Sequence, residues 1–194
     1  MSDTNNRDRS EAAGAPDLGE RVEALRTDFE ALRPSDWKQI PDIELYMDQV
    51  IEYMKRQHIG LEIDDEESLT PAMINNYIKC GVLPRARGKR YDREHIGYLT
   101  AICLLKQVLS VKESGLLLGE ILKNEEIDDF YEHYGELIDR NYQEVGDAVG
   151  TIRTRKDAAK LAMNLAVRSY ADKLACQQLV RILEDCTEEN TEDE

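Results

Sequence analysis

Thr70-Pro71 at one end and Gly81-Val82-Leu83-Pro84 at the other bracket a short segment, and this bracket constrains the fold more than any other feature of the sequence. A hydroxyl residue followed by proline is a helix start, because the hydroxyl accepts from a free backbone N–H and proline has none to leave unpaired. Gly81 adopts the left-handed conformation that ends helices. Met73, Ile74, Tyr77 and Ile78 fall on one side of the enclosed helix, and Asn75, Asn76 and Lys79 on the other. Val82-Leu83-Pro84 leaves it extended, and Arg85-Ala86-Arg87-Gly88-Lys89-Arg90-Tyr91 reads as a small β-hairpin with Gly88 at its turn. Asp92 then caps a long helix through Ile96, Leu99, Ile102, Cys103, Leu105, Val108 and Leu109.

The charge is segregated around that hairpin. The chain carries a formal net charge of −15, yet Thr70 to Lys112 holds eight Lys and Arg residues against Asp92 and Glu94, a local +6. Like charges crowded on a short hairpin repel one another, so folding alone gives no reason to collect them. A negative total keeps a protein soluble without deciding what one patch binds.

Elsewhere the apolar spacing is helical, and the fold class is all-α. Residues 1–17 read as a disordered leader. Val22, Leu25, Phe29 and Leu32 form a helix stopped by Pro34, and Pro41 opens a second one carrying Ile43, Leu45, Met47, Val50, Ile51 and Met54. His58 to Ser68 is an acidic loop, and a short helix is expected from about Leu116 to Leu122. Two long helices follow. In the first, Tyr131, Tyr134, Ile138, Asn141, Val145, Ala148 and Ile152 repeat at heptad spacing, with an Asn that would fix register in a coiled coil. Tyr134, Ile138, Asn141 and Val145 are therefore candidate dimer contacts, the alternative being an αα-hairpin packed on its own domain. The second runs from about Lys156 to Leu183, and residues 186–194 form an acidic tail. The implied organisation is a leader, a unit over 18–112 holding the N-terminal helix, the bracketed helix and the basic hairpin, a helical C-terminal region over 113–185, and the tail.

No apolar run is long enough to span a membrane, and the N-terminus lacks the apolar core of a signal peptide, so a cytoplasmic protein is expected. The four Cys and three His residues are scattered, without metal-ligand spacing, so no metal or cofactor is expected. Cys80, Cys103 and Cys176 read as small buried residues. No phosphate loop, nucleophile elbow or carboxylate–His pair suggests an enzyme.

Helix, loop, capped second helix, basic hairpin and capped third helix is the order of a winged helix-turn-helix. A helix fits the major groove of DNA while a basic hairpin reaches neighbouring phosphates. The expected DNA-contacting residues are Thr70, Asn75, Asn76 and Lys79 on the second helix and Arg85, Arg87, Lys89, Arg90, Tyr91 and Arg93 on and after the wing. Asn pairs with adenine edges, and Arg and Lys with guanine or phosphate. The expected function is sequence-specific regulation of transcription by a dimeric repressor on double-stranded DNA. The alternative is a non-enzymatic adaptor whose basic wing docks on an acidic partner protein.

Asn76 to Gln107 is similar to the DNA-binding segment of MerR-type regulators, with Tyr77, Gly81, Leu83, Pro84, Arg90, Tyr91 and Asp92 on the matching positions. Over Trp37 to about Lys112 the chain resembles a bacterial domain-of-unknown-function family, number 1836, whose members look like MerR-related helix-turn-helix proteins. The resemblance implies a MerR-like winged helix-turn-helix followed by a helical region, in a cytoplasmic regulator acting as a dimer. MerR proteins usually carry Arg where this chain has Asn75, so their base preference does not transfer.

Overall fold

Capping side chains set the start of most helices. The computed structural model describes residues 17–57 and 69–192, so the expected leader and the acidic 58–68 loop lie outside the described residues, apart from Asp17. Seven helices and one 3₁₀ turn are described: α1 (Leu18–Ala31), the turn Trp37–Gln39, α2 (Met47–Lys55), α3 (Pro71–Lys79), α4 (Arg93–Leu105), α5 (Val111–Ile121), α6 (Ile127–Gly150) and α7 (Arg155–Glu192). Among the described residues no strand forms, so the chain is all-α.

The bracket around α3 is realised as chemistry dictates. Thr70 Oγ1 accepts from the Met73 N–H at 3.2 Å, and Gly81 sits at φ 73°. The N–H groups of Val82 and Leu83 both return to the Tyr77 carbonyl, at 2.9 and 3.2 Å. Asp92 caps α4: its Oδ1 accepts from the His95 N–H at 3.3 Å and lies 2.6 Å from His95 Nδ1. Burial of Asp92 works to raise its pKa, but the side-chain and backbone hydrogen bonds from His95 outweigh it and hold the carboxyl below its ordinary value.

Two helix starts differ from the sequence expectation. α2 begins at Met47 rather than Pro41, because Leu45 pairs with Tyr91: the N–H of each donates to the carbonyl of the other, at 2.7 and 2.9 Å. A backbone committed to that pairing cannot also be helical. α5 begins at Val111 rather than near Leu116, because Ser110 and Glu113 form a reciprocal capping box at 2.7 and 3.2 Å.

One apolar core runs from Ile40 to Ile138, with Val50, Ile74, Leu83, Ile96, Leu99 and Ile102 essentially sealed from solvent. The heptad-like seam of α6 is largely used inside the chain. Tyr131, Tyr134 and Ile138 are buried in this core, Val145 is half-buried, and Asn141 is exposed with its amide donating to the Leu137 carbonyl at 2.7 Å. Tyr134 and Ile138 are thus corrected from dimer contacts to core residues, and Asn141 stands outside the seam it was expected to register. The second half of α6 carries α1, with Phe29 edge-on to Tyr142 at 5.9 Å. α7 packs on α5 near its far end, where Val180 is buried and Lys112 pairs with Glu184.

Gly97 of α4 permits a close approach. A Cβ there would lie 2.9 Å from Cζ3 of Trp37, whereas a Cβ on Gly119 of α5 would meet nothing within 4 Å. Gly97→Ala should therefore cost about 1–3 kcal/mol through overpacking, while Gly119→Ala should be neutral or stabilise by up to ~1 kcal/mol through helix propensity, both read by denaturant unfolding. The lowered pKa of Asp92 makes a second check. Its contribution is fully present above the pKa of the unfolded chain and is lost as pH falls through the lower folded value. The stability gap between wild type and Asp92→Asn should accordingly narrow as acid is added below about pH 4.

Candidate nucleic-acid interface

The chain that leaves α3 builds a tight basic turn. Arg87 and Arg90 exchange backbone hydrogen bonds at 3.1 and 3.0 Å, enclosing Gly88 at φ 58° and Lys89 at φ 66°. Two central residues in the left-handed region are what a two-residue type I′ turn requires. Gly88 meets this freely, but Lys89 does so at a cost of roughly 1 kcal/mol. Strained backbone at an exposed tip that carries a cation is a pointer to function. Arg85, Arg87 and Lys89 are exposed and, among the described residues, stand in no ion pair.

On α3 the amphipathic division holds. Asn75, Asn76 and Lys79 are exposed, while Ile74 and Tyr77 are buried, and burial pushes the Tyr77 phenol up to about 12. Thr70 is exposed but its oxygen is engaged as the cap. The exposed residues of α3 and the turn leave the same core, since Tyr77, Leu83 and Tyr91 are all members of it.

Tyr91 is corrected from a surface contact to a core residue. It is only 4% exposed, its ring meets His95 edge-on at 5.3 Å, and burial raises its pKa. Its part is to anchor the turn through the pairing with Leu45. Cys80 is likewise corrected: it ends α3 exposed, its Sγ 3.8 Å from Asn76 Oδ1, because the chain turns away at Gly81.

Arg90 and Arg93 are not free cations. The Leu45–Tyr91 pairing places Tyr46 directly across from Arg90, whose Nη2 donates to Tyr46 Oη at 2.9 Å while its guanidinium carbon lies 4.7 Å from the ring centre. Glu44 Oε2 lies 3.6 Å from Arg90 Nε. Arg93, three-quarters buried along its side chain, lies over Trp37 at 5.8 Å and meets Asp42 Oδ2 at 3.8 Å. Asp42, Glu44 and Tyr46 were missed when this segment was read as helix. The signal for the extended part is Glu44-Leu45-Tyr46, an apolar residue between two polar-tipped ones with the period of an extended chain, whereas 42 and 43 form a bend that leaves Ile43 exposed.

Chemically the arrangement offers a polyanion three unpaired cations on a rigid turn, two more held by acids, and a polar helix face beside them. Among the described residues, no group of three His, Cys, Asp or Glu side chains could hold a metal ion, and no helix is long and apolar enough to cross a membrane.

A family model described as "Domain of unknown function (DUF1836)" matches residues 35–134, about half of the chain. No curated protein and no solved structure matches. The matched span nearly coincides with the core from Ile40 to Ile138, and so takes in α2 to α5, the basic turn and the first part of α6. On that match the chain belongs to the DUF1836 family.

Proposed function

We propose that this protein is a sequence-specific, non-enzymatic regulator of transcription in the cytoplasm, a dimeric repressor binding double-stranded DNA through a MerR-like winged helix-turn-helix. The observation that carries the reading is the type I′ turn with Lys89 at its strained tip between Arg87 and Arg90, in a chain of net charge −15. α3 enters the major groove, with Asn75 and Asn76 at base edges and Lys79 at a base or phosphate. Arg85, Arg87, Lys89 and Arg90 meet phosphates as the wing.

The partner subunit is a second copy meeting α7 rather than the α6 seam. Met163, Val167, Tyr170 and Leu174 lie on one stripe of α7 and are 42–68% exposed. Their 4-3-4 spacing is the same read in either direction, so an antiparallel copy sets Met163 against Leu174 and Val167 against Tyr170. A second reading, an adaptor docking on an acidic protein, is favoured by the carboxylates that Arg90 and Arg93 already accept.

Anisotropy titration of duplex DNA discriminates between these readings. With ~4–6 phosphates neutralised per subunit, affinity should fall about 10³-fold or more between 50 and 200 mM salt, and salt-insensitive or absent binding would count against the regulator. Replacing Arg87 and Lys89 with Ala should weaken binding about equally for all sequences, whereas Asn75→Ala or Asn76→Ala should cost ~1–3 kcal/mol on the preferred site and change the preferred bases. Sedimentation should give twice the 22.2 kDa of one chain, returning to one chain in Val167→Glu with Tyr170→Glu.

A further inference from the structure

We infer that the segment Asp42–Tyr46 is part of the DNA interface and sets its strength through two opposed contacts: Tyr46 positions Arg90 for a phosphate, while Glu44 and Asp42 occupy Arg90 and Arg93 until a phosphate displaces them. The inference rests on the regulator reading and adds residues outside the basic turn to it.

The geometry follows from the pairing of Leu45 with Tyr91. Around the bridge alternate residues share a face, so Glu44 and Tyr46 project together while Leu45 is buried; Asp42 lies beyond a bend at residues 42 and 43 and reaches Arg93 instead. Tyr46 and Arg90 are directly opposed, and Glu44 lies on the diagonal. The Tyr46 ring and hydroxyl fix one side of the guanidinium, at 4.7 and 2.9 Å, and leave other N–H groups of its fork to an incoming oxygen. A guanidinium held in one place loses less freedom when it grips a phosphate.

The carboxylates act the other way. Glu44 stands 3.6 Å from Arg90 Nε and Asp42 3.8 Å from Arg93 Nη2, so each fills a place that a phosphate oxygen would take. The carboxylates are exposed, Glu44 at 56% and Asp42 at 88%, so both pairs are weak enough to be exchanged even though the Arg93 side chain is largely buried. When a phosphate takes the arginine, the freed carboxylate gathers a cation from solution. That uptake offsets part of the counterion release that drives binding, so the acids lower both the affinity and its salt dependence.

The two roles predict opposite signs. Binding is measured by anisotropy on a labelled random-sequence duplex across a salt series, with the melting temperature of each variant recorded. Glu44→Gln should bind ~2–5-fold tighter at low salt, with the slope of log K against log salt steeper by up to ~0.9, and Asp42→Asn should do the same for Arg93. Tyr46→Leu should bind ~3–10-fold more weakly with the wild-type slope, since Arg90 remains a cation. Asp147→Asn, on the part of α6 that faces α1, controls for net charge and should change neither affinity nor slope appreciably.

Equal or weaker binding by Glu44→Gln would overturn the inference, as would an identical gain in Asp147→Asn or unchanged binding by Tyr46→Leu. No DNA binding by the unaltered protein would overturn the regulator reading together with it. Binding by wild type with unaltered behaviour in the variants would remove the role of Asp42–Tyr46 alone.

Discussion

Two hydrogen bonds between Leu45 and Tyr91 hold the family-matched half of this protein in register. They join the segment before α2 to the end of the basic turn, across α2 and α3. Each bond is worth only about 1 kcal/mol net, but burial of both side chains keeps water from competing for them. Everything nearby follows from that junction. Tyr91 is drawn inward against His95, Asp92 falls where it can cap α4, and Arg90 is left facing Tyr46. An all-helical fold thus depends on a fragment of sheet one residue pair long.

The same junction explains how an acidic chain keeps a basic surface. The turn ends only two residues before the α4 cap, so Arg85, Arg87 and Lys89 project from a backbone that cannot relax away from its neighbours. Repulsion among them is confined instead of dispersed. Arg90 and Arg93, nearest the junction, are the ones supplied with carboxylates. The cations at the tip are not. The gradient runs from ion pairs at the base, through Arg87 within electrostatic reach of Asp92, to Lys89 at the end, in no ion pair among the described residues, an arrangement suited to meeting an extended anion tip-first.

Local chemistry made the elements around this surface legible in the sequence. Thr70, Gly81 and Asp92 each act within a few residues of themselves, and their caps and turn stand where pattern reasoning places them. The amphipathic division of α3 was legible for the same reason. What failed was non-local. Pro41 looked like a helix start because nothing near it in sequence reveals Tyr91 as the partner of Leu45. Tyr91 looked like a wing residue because its burial depends on elements far along the chain. The α6 seam has coiled-coil spacing, but spacing cannot say whether the facing helix belongs to the same chain or another. Here α4 and the rest of the core fill the first half. The late start assigned to α5 had a local remedy, since Ser110 and Glu113 spell a capping box.

Trp37 occupies a junction of a different kind. It sits on the bare backbone of α4 at Gly97, against Tyr131 of α6 at 5.4 Å, with Arg93 over its ring. Farther along the same unbroken helix, Tyr142 receives Phe29 of α1. A helix rises about 1.5 Å per residue, so α6 sets these two aromatic contacts roughly 16 Å apart along its axis. The family match ends at residue 134 inside this helix, so one continuous helix seats Trp37 with its matched part and α1 with the rest.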